Sequence, residues 1–375
     1  MQSLGETEAL RPVIAQFRSE PVEQIAPLGQ GHIHQTYLVR LTGMGGRWVL
    51  QRVNTHVFSD LEAVMQNIAR VTAHVRTRLE REGASELDRR VLSVCCTHAG
   101  RTHYVDPQLG AFRMFAYVEG SVTLQRIASE AEGFEAGRAC GELARLLHDL
   151  SPALLHTTLP DFHATHRRFE VLRDAMAADT AGRAAQVQSE WRQLTELEWL
   201  ARECAEWSRD PALRLRITHN DTKLDNILFD AATRRALCLI DLDTVMPGYL
   251  AYDFGDLVRS CLCTVDEDAR DASQVDVRFE WFEPLARGYL SEVSSELTPL
   301  ERRSLARGPL WIVLELALRF LTDFVQGDRY FKIARPEHNL DRTRVMLALL
   351  ARFSAHEAEL LRIVETCAAE VVEAR

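Results

Sequence analysis

The sequence predicts an α+β protein of two unequal lobes, a small β-rich one followed by a larger helical one. Three observations carry this. Strand-type runs separated by glycines fill the first third, with one amphipathic helix among them. Helical periodicity takes over from about Ser121. A strand-rich insertion, Leu215–Asp241, then interrupts the helices and gathers most of the conspicuous polar residues. The length of 375 residues exceeds what one compact core usually holds and suits two lobes.

Residues 24–29 read as a strand, broken by Gly29-Gln-Gly31 and resumed at Thr36–Leu41 with β-branched and apolar residues. Gly43–Gly46 is a turn and Arg47–Val53 a third strand. Leu61, Val64, Met65, Ile68, Val71 and Val75 recur at three- and four-residue steps, which predicts a helix over Asp60–Leu79. Val91–Val94, Thr102–Val105 and Phe112–Tyr117 read as further strands. The helical part comprises Phe134–Leu150, Phe169–Met176, Trp191–Trp207, Asp253–Cys263, Trp281–Glu292, Trp311–Phe324 and a segment from Asp341 onwards. The seam is expected near Val118–Thr123, giving an N-lobe of 1–117 and a C-lobe of 118–375.

Hydrophobic residues at 46% and charged residues at 26% are ordinary globular proportions and exclude a disordered or fibrous chain. The formal charge of −10 argues against nucleic acid as a partner, since phosphate backbones demand a basic face, but leaves room for a single nucleotide. No apolar run reaches the roughly 18 residues of a membrane helix, and the first residues lack a basic-then-apolar leader, so a cytoplasmic protein with no membrane partner is expected. The eight cysteines include no C-x-x-C pair, which predicts reduced, mostly buried thiols rather than a zinc site. The oligomeric state is left open.

The chemistry concentrates in Thr218-His-Asn-Asp-Thr-Lys-Leu-Asp-Asn226-Ile-Leu-Phe-Asp and in Ala236-Leu-Cys-Leu-Ile-Asp241-Leu-Asp243. Two apolar strands joined by the Ala231–Arg235 turn form a hairpin that returns Asp241 to the end where Asn226 sits. An amide oxygen and a carboxylate at one mouth suit Mg²⁺, which takes a few protein oxygens and fills the rest with water and phosphate. Phosphoryl transfer requires a metal on the polyphosphate, a base for the acceptor hydroxyl and a cation near the moving group. Asn226 and Asp241 are the candidate metal ligands, Asp221 the base and Lys223 the cation. Asp243, two residues beyond Asp241, is a candidate contact for the acceptor or a second metal.

Gly29 and Gly31 allow a backbone turn to lie close over phosphates, although a plain β-turn explains them equally. No Gly-Lys-Ser/Thr follows, so this is not a Walker loop. The third strand ends in Gln51-Arg52 and carries no lysine that could meet a phosphate. Adjacent strand residues face opposite ways, so only one of the two enters the cleft, and Arg52 stands either there or on the outer face. Glu62 is its candidate partner, or an ordinary solvated helix charge. Phe112–Gly120 falls at the lobe junction, where its backbone suits adenine and Met114, Phe115 and Tyr117 serve as apolar walls or as core. Asp256, opening a helix, is read as structural, and His219 as a brace for its loop.

The arrangement His-x-Asp-x-Lys-x-x-Asn resembles the catalytic loop of protein kinases. Asp-Leu-Asp in place of Asp-Phe-Gly, with no Ala-Pro-Glu beyond it, points to the aminoglycoside-phosphotransferase branch, and so to a protein-kinase-like fold. Ile240-Asp-Leu-Asp-Thr-Val-Met-Pro-Gly, Tyr252-Asp-Phe-Gly-Asp256, Leu50-Gln-Arg-Val-Asn54, Asp161-Phe-His163 and Arg319-Phe-Leu-Thr-Asp323 resemble N-acetylhexosamine 1-kinases. That resemblance implies an ATP- and Mg²⁺-dependent enzyme phosphorylating a sugar at its anomeric hydroxyl. It places Arg319, Asp323 and Tyr330 at the acceptor. Homoserine, choline, methylthioribose and aminoglycosides are the alternative acceptors, and a nucleotide-binding pseudokinase is the alternative class, favoured by the missing strand lysine.

Overall fold

The computed structural model describes residues 7–29 and 33–373. The N-terminal lobe is an antiparallel sheet of β1 (Val22–Pro27), β2 (Gln35–Leu41), β3 (Arg47–Arg52), β4 (Val94–Cys95), β5 (Tyr104–Asp106) and β6 (Gly110–Ala116). The strand order is β1-β2-β3-β6-β4, with β5 also paired to β6. A short helix, α1 (Arg11–Ile14), covers one face, where Val13 and Ile14 pack with Tyr37, Val39, Leu50 and Phe112. The long helix α2 (Leu61–Arg81) covers the other, burying Val64, Met65, Ile68 and Val71 with Phe115. Strand alternation then decides which side chains look towards α2. Leu50 lies on the α1 face, so Arg52 shares that face, whereas Gln51 and its cross-strand neighbour Arg113 look the other way. After α2 comes a single turn, α3 (Leu87–Arg90).

The helical lobe begins with β7 (Ser121–Val122), then α4 (Glu130–Leu146), α5 (Thr165–Ala178), α6 (Gln188–Glu196) and α7 (Glu198–Trp207). Next come β8 (Arg216–Thr218), β9 (Ile227–Asp230), β10 (Ala236–Leu239) and β11 (Met246–Gly248). Five helices complete the chain: α8 (Leu250–Leu262), α9 (Phe282–Val293), α10 (Pro299–Val325), α11 (His338–Ala355) and α12 (Glu357–Glu373). The hairpin expected from the sequence is β9–β10, with Ile227 opposite Leu239, and β7 adds a third strand to it. β8 pairs with β11, Met246 opposite Thr218, which brackets the polar loop between two short ladders. Among the described residues no helix is long and apolar enough to cross a membrane.

Several helix boundaries differ from the sequence expectation, among them the segment from Asp341 onwards, which breaks into α11 and α12. The segment expected as one helix over Trp191–Trp207 breaks at Leu197 into α6 and α7. The helix expected from Trp311 starts at Pro299 instead, behind a capping box in which Thr298 and Glu301 exchange side-chain and backbone bonds. Gly308-Pro309 reads locally as a helix stop. It is tolerated because α8 crosses there at backbone contact: a Cβ on Gly308 would meet the carbonyl oxygen of Ala251 at 2.0 Å, and one on Gly255 would meet Gly308 itself. Gly308→Ala therefore forces α8 and α10 apart and should cost about 1–3 kcal/mol, the range for overpacked cores, read as a lower urea midpoint.

Candidate active site

Every polar residue of the 218–226 loop is held by a named partner. Asp253, in the first turn of α8, accepts the backbone N–H of His219 at 2.8 Å and of Asn220 at 2.7 Å, one on each carboxylate oxygen. Its own carbonyl accepts the Thr222 hydroxyl. Asn220 adopts a left-handed φ of 65°, which asparagine tolerates better than most residues, and its amide donates to the Thr244 carbonyl at 2.9 Å. His219 braces the loop from within: Nε2 donates to the Ile240 carbonyl at 2.9 Å, and Nδ1 faces the Asp221 N–H at 3.3 Å. The Ile240 N–H in turn donates to the Asn226 carbonyl at 2.9 Å. These bonds bring the hairpin mouth against the loop.

Asp221, 31% exposed, receives the Lys223 ammonium at 3.1 Å and the Asn226 amide at 2.9 Å on the same oxygen. Because the Asn226 nitrogen is turned to Asp221, its oxygen is the atom left for a metal. Burial opposes ionisation of Asp221, but the charges of Lys223 and His219 outweigh it and hold the carboxyl below its ordinary value. The neighbouring Asp221 carboxylate raises the Lys223 ammonium despite burial. Asp241 behaves oppositely. Burial pushes its pKa up, and the carboxylates of Asp243 and Asp221 push it further. Three acidic groups this close, one of them resisting ionisation, fit a site that a cation completes. Ligand-type atoms of His34, Asp241 and Asp243 all lie within 4.8 Å of one another.

Of the other residues singled out in the sequence, Asp243 lies beside Asp241. Asp243 is 3% exposed, with one oxygen on His34 Nε2 at 2.5 Å and the other ion-paired to Arg113. Both oxygens are committed within the protein rather than turned to an acceptor. Arg52 lies on the α1 face beside Gln35, at 3.4 Å. Glu62 is exposed and accepts from Gln66 on its own helix. Gly29 stands at φ +70°, where glycine is favoured, and Gly31 lies outside the described residues. Phe115 is buried under Arg113, and Tyr117 lies beneath the Arg47 guanidinium at 4.3 Å. Asp256 is buried and pairs with Arg259 at 2.8 Å.

Arg319 and Asp323, four residues apart on α10, have different partners. Asp323, 3% exposed, accepts the backbone N–H groups of Arg329, Tyr330 and Phe331 and the Asn339 amide. Its carboxylate fixes the turn after α10. Arg319 instead lies over the rings of Phe162, Tyr330 and Phe331, with centroids at 5.2, 5.8 and 5.5 Å, and Glu315 at 3.7 Å. Glu315 is fully buried; one oxygen meets His163 Nδ1 at 3.0 Å. The other Glu315 oxygen and His163 Nε2, both buried, make no hydrogen bond. His163 stacks on Tyr252, the residue before Asp253, with centroids at 4.2 Å, which ties this side-chain cluster to the 218–226 loop.

A model of the phosphotransferase enzyme family (APH) matches residues 24–290. The chain belongs to the phosphotransferase enzyme family. Solved structures agree on the fold. Over 92% of this phosphotransferase and 98% of the other chain, it superposes on a spectinomycin phosphotransferase crystallised with ADP and spectinomycin (TM-score 0.60, 10% identity). Choline kinase from Cryptosporidium parvum gives a TM-score of 0.55 at 14% identity over 96% and 99% of the two chains. Ethanolamine kinase from Plasmodium vivax gives 0.53 at 14% over 94% and 87%. The phosphotransferase thus has the kinase-like fold of a β-sheet N-terminal region and a helical C-terminal region expected from its sequence.

Arg113, His34, Asn67, Asp253 and Glu315 were not legible as site residues. Each acts across a long sequence interval, and Asp253 and Glu315 sit where an ordinary helix charge would. His163 had a signal only in the resemblance of Asp161-Phe-His163.

Proposed function

We propose that this phosphotransferase moves the terminal phosphoryl group of ATP to a hydroxyl of a neutral polyhydroxylated small molecule, an N-acetylhexosamine at its anomeric hydroxyl. The observation that carries the reading is the convergence of Asp221, Asn226 and Asp241 at one mouth of the β9–β10 hairpin. Asp221, ionised and fixed by Lys223 and Asn226, orients the acceptor hydroxyl and takes its proton. Lys223 meets charge on the transferred group. The Asn226 oxygen and the Asp241 carboxylate would hold Mg²⁺, which neutralises polyphosphate charge when bound. Asp243 is left out of direct acceptor contact, and Asp323 acts through the turn that presents Tyr330 and Phe331.

The acceptor pocket favours a neutral ligand. Choline or an aminoglycoside offers a cation, and cations seek aromatic faces. Here the faces of Phe162, Tyr330 and Phe331 already carry the Arg319 guanidinium. Sugar hydroxyls supply both donors and acceptors, the hydrogen-bond partners that the Glu315 oxygen beside Arg319 and His163 Nε2 lack. Glu315→Gln should raise the acceptor KM about 10–100-fold, the worth of a hydrogen bond to a charged group, with the KM for ATP unmoved.

Coupled ADP release over N-acetylhexosamines, homoserine, choline, methylthioribose and aminoglycosides, followed by phosphorus NMR of the product, tests the reading. A sugar 1-phosphate is expected. A 6-phosphate, or turnover confined to a cationic acceptor, overturns the sugar 1-kinase assignment. The absent strand lysine favours a second reading, nucleotide binding without turnover, and Mg²⁺-dependent ADP binding with no acceptor consumed would select it.

A further inference from the structure

The family's chemistry asks for a cation reaching from the N-terminal sheet towards the nucleotide site, and β3 carries no lysine. On the α2 face, β3 presents Gln51, and β6 presents Arg113 directly opposite it. Arg113 is 1% exposed. Its Nε donates to Gln51 Oε1 at 2.9 Å, and its Nη1 lies 3.9 Å from Met65 Sδ of α2 and pairs with Asp243. The Gln51 amide donates onward to Thr36 of β2 at 3.3 Å. The other Asp243 oxygen takes His34, which immediately precedes β2 and whose Nδ1 accepts the Asn54 N–H at 3.1 Å. One carboxylate from the helical lobe is therefore held by two cation-type side chains of the sheet. Asn67 of α2 adds a third tie, donating to the Val245 carbonyl at 3.0 Å.

We propose that Arg113, on the strand beside the one that lacks a lysine, is a positioning residue: by gripping Asp243 it fixes Asp241, two residues earlier, for the metal-bearing nucleotide. This rests on the phosphotransferase reading. The sheet's charge on this face stands on β6, and Gln51 of β3 is its orienting partner. The physical logic is that of support behind a ligand. Asp241 sits at a left-handed φ of 62° with a cramped, acidic surrounding. A backbone held in that state needs an anchor on each side, and Asp243 is the anchor that follows it. His34, just before β2, holds the other oxygen of the same carboxylate, so the sheet side and the metal segment are tied at two points.

The test is calorimetry of ADP with and without Mg²⁺ on the full chain, for wild type, Arg113→Met, Arg113→Lys and the double variant Arg113→Met/Asp243→Asn. The wild type should gain affinity from Mg²⁺. Arg113→Met should lose about tenfold of that gain, the lower end for removing a supporting partner of a metal ligand, while metal-free ADP binding stays within about twofold. Arg113→Lys should recover part of it, since the charge remains without the fork. If an unpaired buried Asp243 unfolds the single variant, the double variant, which removes that charge, should fold and still lack the Mg²⁺ gain. A full Mg²⁺ gain in either Met variant overturns the role of Arg113 and leaves the phosphotransferase reading intact. Equal loss of metal-free affinity in the Met and Lys variants also overturns it, since that marks a purely structural residue. A wild type whose ADP affinity ignores Mg²⁺ overturns the phosphotransferase reading beneath it.

Discussion

Asp221→Asn should lower kcat by about 10²–10⁴, with ADP affinity and the unfolding midpoint near their wild-type values. Asp221 Oδ2 already receives two donors, from Lys223 and Asn226, and its partners stay in place when it is replaced. An asparagine must give its oxygen to those donors. Its NH₂ then faces the acceptor hydroxyl, donor against donor, with no base for the proton. The stability change is small because the pair with Lys223 is about a third exposed on both sides, and such pairs contribute about 0–1 kcal/mol. The same carboxyl sets a pH expectation. Its pKa is depressed below 3.8, so it is ionised above that value and its contribution to kcat is lost only as pH falls through the folded-state pKa. A kcat profile flat in this group down to about pH 4 is expected. An acid limb near pH 6 would assign the base to another residue.

Asp253→Ala should damage fold and turnover together. Asp253 is buried, and its two oxygens satisfy the N–H groups of His219 and Asn220 just before Asp221. Truncation strands two buried donors, each costing about 1–3 kcal/mol, so a loss of about 2–6 kcal/mol in urea unfolding is expected. It also frees Asn220 to leave its left-handed conformation, shifting Asp221 behind it. A displacement of about 1 Å at a positioned group costs about 100-fold in rate. Asp253→Asn keeps one acceptor oxygen and turns an amide nitrogen against the second N–H, so it should fall between. Chemical denaturation with steady-state kcat on the folded fraction separates the two effects. Undiminished stability in the alanine variant would show that the loop holds its shape without this carboxylate.

The chemistry of the 218–243 segment was readable because its parts are close in sequence. Asn226 and Asp241 sit at the ends of one hairpin, and short-range pairing rules suffice to bring such ends together. Burial periodicity likewise exposed α2 and most of the helical lobe. The start of α10 was hidden because Gly308-Pro309 reads as a stop, and only the crossing of α8 explains why the chain runs through it. Arg319 and Asp323 had the spacing of an ion pair, yet one was claimed by three aromatic rings and the other by the turn after the helix.

The sequence by itself determined a β-rich part followed by a helical one and the hairpin that joins Asn226 to Asp241, since both follow from local periodicity and turn chemistry; the kinase-like fold followed from the resemblance of its catalytic-loop motif. Only the tertiary structure decided that Arg113 stands on the strand beside the one where a lysine was sought, that it pairs with Asp243, and that Glu315 and His163 hold polar atoms without hydrogen bonds beside Arg319. These outcomes depend on which distant strand or helix lies opposite a side chain. A buried charge is settled by that partner, whose place along the chain no periodicity records.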